Sequence, residues 1–378
     1  MMDRCKPRYK EVVMACQSVR WFVATVVGLV IGAVDPVTQA GDDKPARRDR
    51  LEAIKAEFDK QLTAYRKAES EAKTDDDRQA AAKRRPSLQE FGKRFLTLAE
   101  EQPTDEVACD ALLWIASNSA RREKLELDGA LDLVEKHHLK SPKLKGVVDA
   151  LACSVNRRAN ALAETIANKA GDREVRGRAC FFVGLGIYGR TGARDAKSLA
   201  EVEIWMNRVQ KDYADLRFEK RTLGDLAEAQ VFELRNLIPG KVAPELEGVS
   251  VTGQKLKLSD YRGKVVVLVF WGSWCGPCMA DVPDWRELTT KYAGRPFTVV
   301  GVNSGDTKDG VKTAMKEQKM TWPILFDGED GPIMRKWNVL SFPMVYVIDT
   351  AGVIRYKHGV EDYDKAIADL VWEAERKR

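Results

Sequence analysis

Val265-Val266-Val267-Leu268-Val269-Phe270 runs directly into Trp271-Gly272-Ser273-Trp274-Cys275-Gly276-Pro277-Cys278, and then into Met279-Ala280-Asp281-Val282-Pro283-Asp284-Trp285-Arg286-Glu287-Leu288. An unbroken apolar, β-branched run reads as a strand covered on both faces, the pattern of a parallel sheet. The segment after the second cysteine reads as a helix. In that setting Cys-x-x-Cys points to a redox pair and not to half of a zinc site. The remaining alternatives are a permanent disulfide and a zinc half-site. Against zinc, no second Cys-x-x-Cys exists and His358 is the only histidine in this part of the chain. No metal or other cofactor is therefore expected beyond the cysteine pair itself.

Working outward, the grammar on both sides of the pair is that of an α/β sheet. Upstream, Ile238-Pro239-Gly240-Lys241-Val242-Ala243-Pro244 ends a helical region. Strand-like Gly248–Val251 and Lys255–Leu258 flank the turn Thr252-Gly253. Downstream come a buried-type strand at 297–302, a helix near 307–319, a strand at 324–326 and a short helix near 331–337. Strands 344–348 and 353–356 are joined by Asp349-Thr350-Ala351-Gly352, which suits a hairpin and makes the last pair antiparallel. A helix from about Tyr363 closes the chain. The expectation is a central mixed sheet flanked by helices over 238–378.

In this order of elements, Trp274-Cys275-Gly276-Pro277-Cys278 resembles the thioredoxin fold. Leu258-Ser259-Asp260-Tyr261-Arg262-Gly263-Lys264, Gly240–Pro244 and Ser341-Phe342-Pro343 narrow the resemblance to the TlpA/ResA-like branch of exported thiol-disulfide oxidoreductases. It covers only the C-terminal domain. What it implies is reduction of protein disulfides by Cys275 and Cys278. Cys275, at a helix N-terminus, is favoured as thiolate, with its pKa brought from about 8.5 into the range ~3.5–7.5. Cys278 then resolves the mixed disulfide. Pro343 aligns with the cis-proline loop facing the cysteines, presenting Phe342 to a substrate peptide. Trp274, Gly276 and Pro277 are the further substrate contacts. Asp281 stands where this branch usually has a glutamate and becomes the base candidate for Cys278. Thioredoxin proper carries a buried aspartate six residues before the first cysteine, where this chain has Val269. Pro283 resembles the helix-kinking proline of the fold. The partners implied are a disulfide-bearing protein, apocytochrome among the classes, and an upstream thiol electron donor. Peroxiredoxins share the fold, but place one cysteine after Pro-x-x-x-Thr, which Gly272-Ser273-Trp274-Cys275 lacks. A thiol peroxidase, or a partner-binding scaffold with secondary redox activity, are the alternative readings.

The rest of the chain must be read without that resemblance. Lys and Arg total 62 against 57 Asp and Glu, and the excess forms no basic stripe, so no nucleic-acid partner is expected. Basic residues from Arg4 to Arg20 precede an apolar run, Trp21–Val34, shorter than the roughly 20 residues of a membrane span. Thr38-Gln39-Ala40 then offers small residues for cleavage. Residues 1–40 thus read as a signal peptide or a signal anchor, with 12–34 the tether in the second case. The chain is expected to be exported, periplasmic or membrane-anchored facing the periplasm.

Residues 41–86 read as a charged helix and linker. Leu51, Ile54, Phe58, Leu62 and Tyr65 make one apolar stripe that either packs on the next domain or belongs to a solvated spacer. Lys73–Asp77 and Lys83–Pro86 read as linker. Ser87-Leu88-Gln89-Glu90 is a capping-box pattern opening an all-α helical-hairpin or solenoid-like domain over 87–237. Segments near 88–100, 105–119, 127–138, 142–153, 157–170, 172–188, 196–213 and 222–236 are amphipathic, with Trp114, Phe181, Phe182, Trp205 and Phe232 as its expected core. Cys109, Cys153 and Cys180 lie in apolar or Ala-rich helical settings and read as buried small hydrophobes. His137 and His138 are adjacent and point to different sides of a helix, which argues against a shared metal.

Overall fold

The computed structural model describes residues 44–118, 127–151, 156–191, 195–219, 221–329, 331–360 and 362–376. The anticipated signal segment at 1–40 and Cys153 lie outside these residues. Two compact units result. One runs to residue 190 and includes 211–218; the other holds 191–210 and everything from 219 onward.

The first unit is helical: α1 (Lys44–Glu71), α2 (Asp75–Ala82), α3 (Leu88–Glu101), α4 (Glu106–Asn118), α5 (Leu127–His137), α6 (Leu144–Leu151), α7 (Arg157–Lys169) and α8 (Arg173–Thr191). From α3 to α8 each starts and stops within a few residues of the position its apolar periodicity predicts. The stretch expected as linker is the correction, because 75–82 is α2. Thr74 accepts the Asp77 N–H at 3.1 Å while Asp77 accepts the Thr74 N–H at 3.0 Å. Three aspartates in the first turn complement the helix dipole. α1 packs on α3 and α4, with the Phe58 ring edge-on to Phe91 at 5.2 Å and to Trp114 at 5.0 Å. Its stripe therefore has a partner within this unit. Buried Arg47 donates to Asp105 and to the Leu98 carbonyl, so a cation near the start of α1 is satisfied and not stranded. α4, apolar along most of its length, touches α1, α3, α5 and α6. Cys109 and Cys180 are buried, and His138 is buried with Nε2 2.7 Å from the Pro103 carbonyl.

The chain continues through α9 (Ala196–Asp212), β1 (Arg217–Phe218), β2 (Arg221–Thr222) and α10 (Leu223–Asn236). Then follow β3 (Glu247–Val249), β4 (Lys255–Lys257), β5 (Val265–Trp271), α11 (Gly276–Lys291), β6 (Phe297–Ser304), α12 (Lys308–Glu317), β7 (Ile324–Gly328), α13 (Pro332–Lys336), β8 (Met344–Ile348), β9 (Ile354–Lys357) and α14 (Tyr363–Arg376). Five strands form one sheet in the order β7-β6-β5-β8-β9, parallel across β5, β6 and β7 and antiparallel at β8 and β9. This is the mixed sheet expected for a thioredoxin-like domain. The Asp349–Gly352 turn closes with the Gly352 N–H donating to the Asp349 carbonyl at 2.9 Å.

β5 is the centre of that sheet, and all seven of its residues are buried. Val265, Val267, Val269 and Trp271 face a cluster built from α11 and α14, including Cys278, Val282, Trp285, Ile367 and Leu370. Val266, Leu268 and Phe270 face the other way, onto Leu237, Trp337, Tyr346 and Ile348. Each such side chain is worth about 1.5–3 kcal/mol against exposure. Phe232 of α10 packs on this second cluster, and α9 and α10 group with the sheet. Phe232 and Trp205 were expected in the core of the helical domain; both lie in the C-terminal unit instead. The grouping also differs from a boundary at 237/238. Its physical cause is Glu233, which is buried and takes Lys357 Nζ from β9 and Asn338 Nδ2.

Candidate active site

β5 delivers the chain to its C-terminal edge at Trp271, beside β6, and there the backbone turns. The Cys275 N–H donates to the Gly272 carbonyl at 3.1 Å, so Gly272–Cys275 form a turn with Ser273 and Trp274 at its centre. Cys275 is the N-cap of α11, and its Sγ accepts the Cys278 N–H at 3.1 Å. Pro277, in the first turn, lacks an N–H that would have had no partner there. The two cysteines form a disulfide with Cα atoms 5.2 Å apart. Both sulfur-bearing residues are almost wholly buried, whereas Gly276 and Pro277 between them are exposed. A sulfur held by an N–H at a helix N-terminus is better stabilised as an anion than one elsewhere.

Beneath Cys278 lies a cavity of ≈ 10 Å³, about the room one water needs, walled by Val269, Trp271, Val282, Trp285, Met320 and Trp322. Val269 makes this wall apolar at the position where thioredoxin proper has its aspartate. Asp281 follows Cys278 by three residues and so lies on the same side of α11. Its half-buried carboxyl makes no hydrogen bond among the described residues. Burial pushes it above the usual aspartate range, and the nearby Asp284 charge pushes the same way. Tyr363 of α14, which the sequence did not single out, sets its ring edge-on to Trp285 at 5.4 Å. Burial holds its hydroxyl well above the ordinary phenol range, and Asp281 adds to the effect.

Pro343 reaches the same edge from the other side. β8 runs antiparallel to β5 with Met344 opposite Phe270, so residues just before Met344 enter the sheet where Trp271 leaves it. The Phe342–Pro343 peptide is cis. Phe342 meets Trp274 edge-on, with ring centroids 5.3 Å apart at 76°. Trp274 is 58% exposed and Leu340 is 47% exposed, giving the disulfide an apolar rim.

Two residues absent from the sequence reading complete the edge. Asp306, in the loop after β6, is buried. It accepts the Ser273 N–H at 2.7 Å, the Ser273 hydroxyl at 2.6 Å and Asn303 Nδ2 at 2.7 Å. The usable signal was Asn303-Ser304-Gly305-Asp306, a polar run at the carboxyl end of a buried parallel strand, where α/β sheets gather their functional groups.

Residues 239–357 match the AhpC/TSA family. The thiol-disulfide oxidoreductase ResA of Bacillus thuringiensis is 31% identical over 135 residues, covering 34% of this chain and 78% of that protein. The thioredoxin-like protein YneN of Bacillus subtilis is 34% identical over 122 residues, covering 32% of this chain and 70% of the other. Among solved structures, the thioredoxin domain of a thiol-disulfide oxidoreductase from Bacteroides vulgatus is 25% identical with a TM-score of 0.33, covering 36% of this chain and 99% of that one.

Proposed function

The chain belongs, through its C-terminal part, to the family of the ResA thiol-disulfide oxidoreductases, and from that premise we propose that it reduces protein disulfides outside the cytoplasm through Cys275 and Cys278. The observation that carries this reading is Cys275 Sγ as the N-cap of α11, accepting the Cys278 N–H. That site stabilises a thiolate next to the sulfur that will resolve its mixed disulfide.

In the reduced protein the Cys275 thiolate attacks one sulfur of a substrate disulfide. The other substrate sulfur leaves as a thiolate and takes up a proton. A mixed disulfide now joins Cys275 to the substrate. Cys278 loses its proton to Asp281 and attacks Cys275 Sγ, expelling the second substrate sulfur. Two electrons have moved from the Cys275–Cys278 pair to the substrate, and an upstream dithiol restores the pair. The raised pKa of Asp281 suits it to accept a proton from a thiol. On this reading Phe342 and Pro343, just before β8, would offer backbone to an extended substrate segment, with Trp274, Gly276 and Pro277 as the other contacts. The direction rests on Gly276-Pro277, which resembles reducing members. Cysteine pairs of exported proteins, including apocytochromes, are the substrate class. Export rests on the basic leader and the apolar run of residues 1–40; among the described residues no helix is long and apolar enough to cross a membrane.

The test is capture with Cys278→Ser. A mixed disulfide on Cys275 should persist, and mass spectrometry of the adduct names the substrate. Wild-type protein that fails to exchange disulfides with a dithiol–disulfide buffer at either cysteine would defeat the reading. Rapid stoichiometric consumption of peroxide by Cys275 would redirect it to a thiol peroxidase.

A further inference from the structure

We infer that Asp306 is a positioning residue for Cys275 and Trp274, acting through Ser273; the inference rests on the dithiol reading given above. Ser273 is the second residue of the turn Gly272–Cys275, and a turn of this kind is fixed by the orientation of its first central peptide. Asp306 grips that residue twice, by the backbone N–H at 2.7 Å and by the hydroxyl at 2.6 Å. The same carboxylate takes Asn303 Nδ2 at 2.7 Å. Asn303 is fully buried in β6 and in register with Trp271 of β5. A polar strut therefore runs from the sheet, through Asp306, to the residue two before the nucleophile. It keeps the Gly272 carbonyl where the Cys275 N–H donates to it, and so sets Cys275 as N-cap of α11.

The same strut seats Trp274. A Cβ on Gly272 would fall 2.6 Å from the indole, and one on Gly305, next to Asp306, would fall 3.0 Å from it. Gly305 has φ +79°, a conformation that favours glycine. With the Phe342 ring on another side, the exposed indole occupies a slot and does not swing freely. Three donors engage the two oxygens of Asp306. It acts through Ser273.

Substitution separates this role from bulk stability. Asparagine at 306 can keep both N–H acceptor contacts on its oxygen and donate to the Ser273 hydroxyl; alanine keeps none. In the full-length protein, with insulin as the disulfide substrate, Asp306→Ala is expected to lower the exchange rate constant roughly 10- to 100-fold, the scale of a misplaced reacting group. Asp306→Asn should recover the greater part. In protein labelled with fluorotryptophan, the Trp274 resonance (assigned by Trp274→Phe) should shift and sharpen in Asp306→Ala and return in Asp306→Asn. A wild-type rate in Asp306→Ala, an unmoved Trp274 resonance, or equal loss in the alanine and asparagine variants overturns the inference. Should Asp306→Ala not fold, Ser273→Ala decides, with the same shift and a smaller rate loss expected and wild-type values for both overturning it. Failure of the wild-type chain to exchange at all removes instead the dithiol reading on which the inference stands.

Discussion

Replacing Glu233 by alanine removes an acceptor that two donors share in the core of the C-terminal unit, Asn338 Nδ2 keeping Gln230 Oε1 at 3.4 Å. The Glu233 carboxylate, on α10, takes Lys357 Nζ from β9 and Asn338 Nδ2 from the loop before β8. Glu233 and Asn338 are 4% and 6% exposed. Removing one member of a buried ion pair costs about 3–5 kcal/mol, because the other charge remains in a poorly solvated place. Two features place the expected loss at the lower end, about 3 kcal/mol: the Lys357 side chain keeps 15% of its exposure and can lean toward water, and its Nζ lies 5.6 Å from the Tyr346 ring centroid, an attraction it retains. Because two compact units make a single unfolding curve ambiguous, the assay is hydrogen exchange of the β5 amides, which report opening of this unit alone. A loss of about 3 kcal/mol accelerates their exchange roughly 100- to 200-fold at ~1.4 kcal/mol per decade. Glu233→Met combined with Lys357→Met removes both charges and should bring exchange back close to wild type. An acceleration of under about tenfold in Glu233→Ala, or a double variant no better than the single, would mean that water reaches the pair and that α10 is not fastened to the sheet by it.

Two further outcomes concern the site itself. Asp281→Asn should raise stability at neutral pH while slowing disulfide exchange: the folded pKa is raised, so the stability Asp281 allows is complete below the unfolded value of 3.8 and lost as pH rises through the folded one, and asparagine escapes that loss. Hydrogen exchange of the β5 amides in the two proteins at matched pH checks it, and identical exchange well above pH 4 would count against a desolvated carboxylate. Gly305→Ala should destabilise by about 1–2 kcal/mol, the cost of placing a side chain in the left-handed region, and should also push the indole off the turn. Hydrogen exchange of the β5 amides and Trp274 fluorescence check the two parts, and an unaltered Trp274 signal would show that the indole does not rest on Gly305.

Much of this was legible from residue order because β5 is unusually easy to read. A seven-residue strand buried on both faces has no polar phase to confuse with a helix, and the cysteines follow it directly. The helices at 88–101 and 157–169 were equally plain, since each carries one apolar stripe. α2 was missed because its first turn is three aspartates and only alanines follow its polar half; the Thr74–Asp77 cap and not an apolar face begins it. The affiliation of α10 was missed for a different reason. An amphipathic helix shows that it has a buried face but not what buries it, and the Lys357 partner of Glu233 on that face lies 124 residues further along the chain. Asp306 was hidden in the same way, because only the parallel pairing of β5 with β6 brings it to Ser273.

The two aspartates near the sulfurs show how position divides one chemistry into two roles. Asp306 has both oxygens engaged by three donors at 2.6–2.7 Å. It is a fixed acceptor, suited to holding a turn. Asp281 makes no hydrogen bond among the described residues, and burial together with Asp284 raises its pKa. Such a carboxylate is less stable as an anion and more ready to accept a proton, which is what resolution by Cys278 asks of it. Residue type alone does not distinguish them, and neither does distance along the chain from the cysteines. The distinction lies in which donors the fold supplies: the β5–β6 edge supplies three to Asp306, and the outward flank of α11 supplies none to Asp281. By the same reasoning, Val269 need not deprive the site of a base. An aspartate there would have faced the apolar wall of the cavity under Cys278. On the proposed reading, a carboxylate one helical turn past Cys278 has a half-solvated exit for the proton.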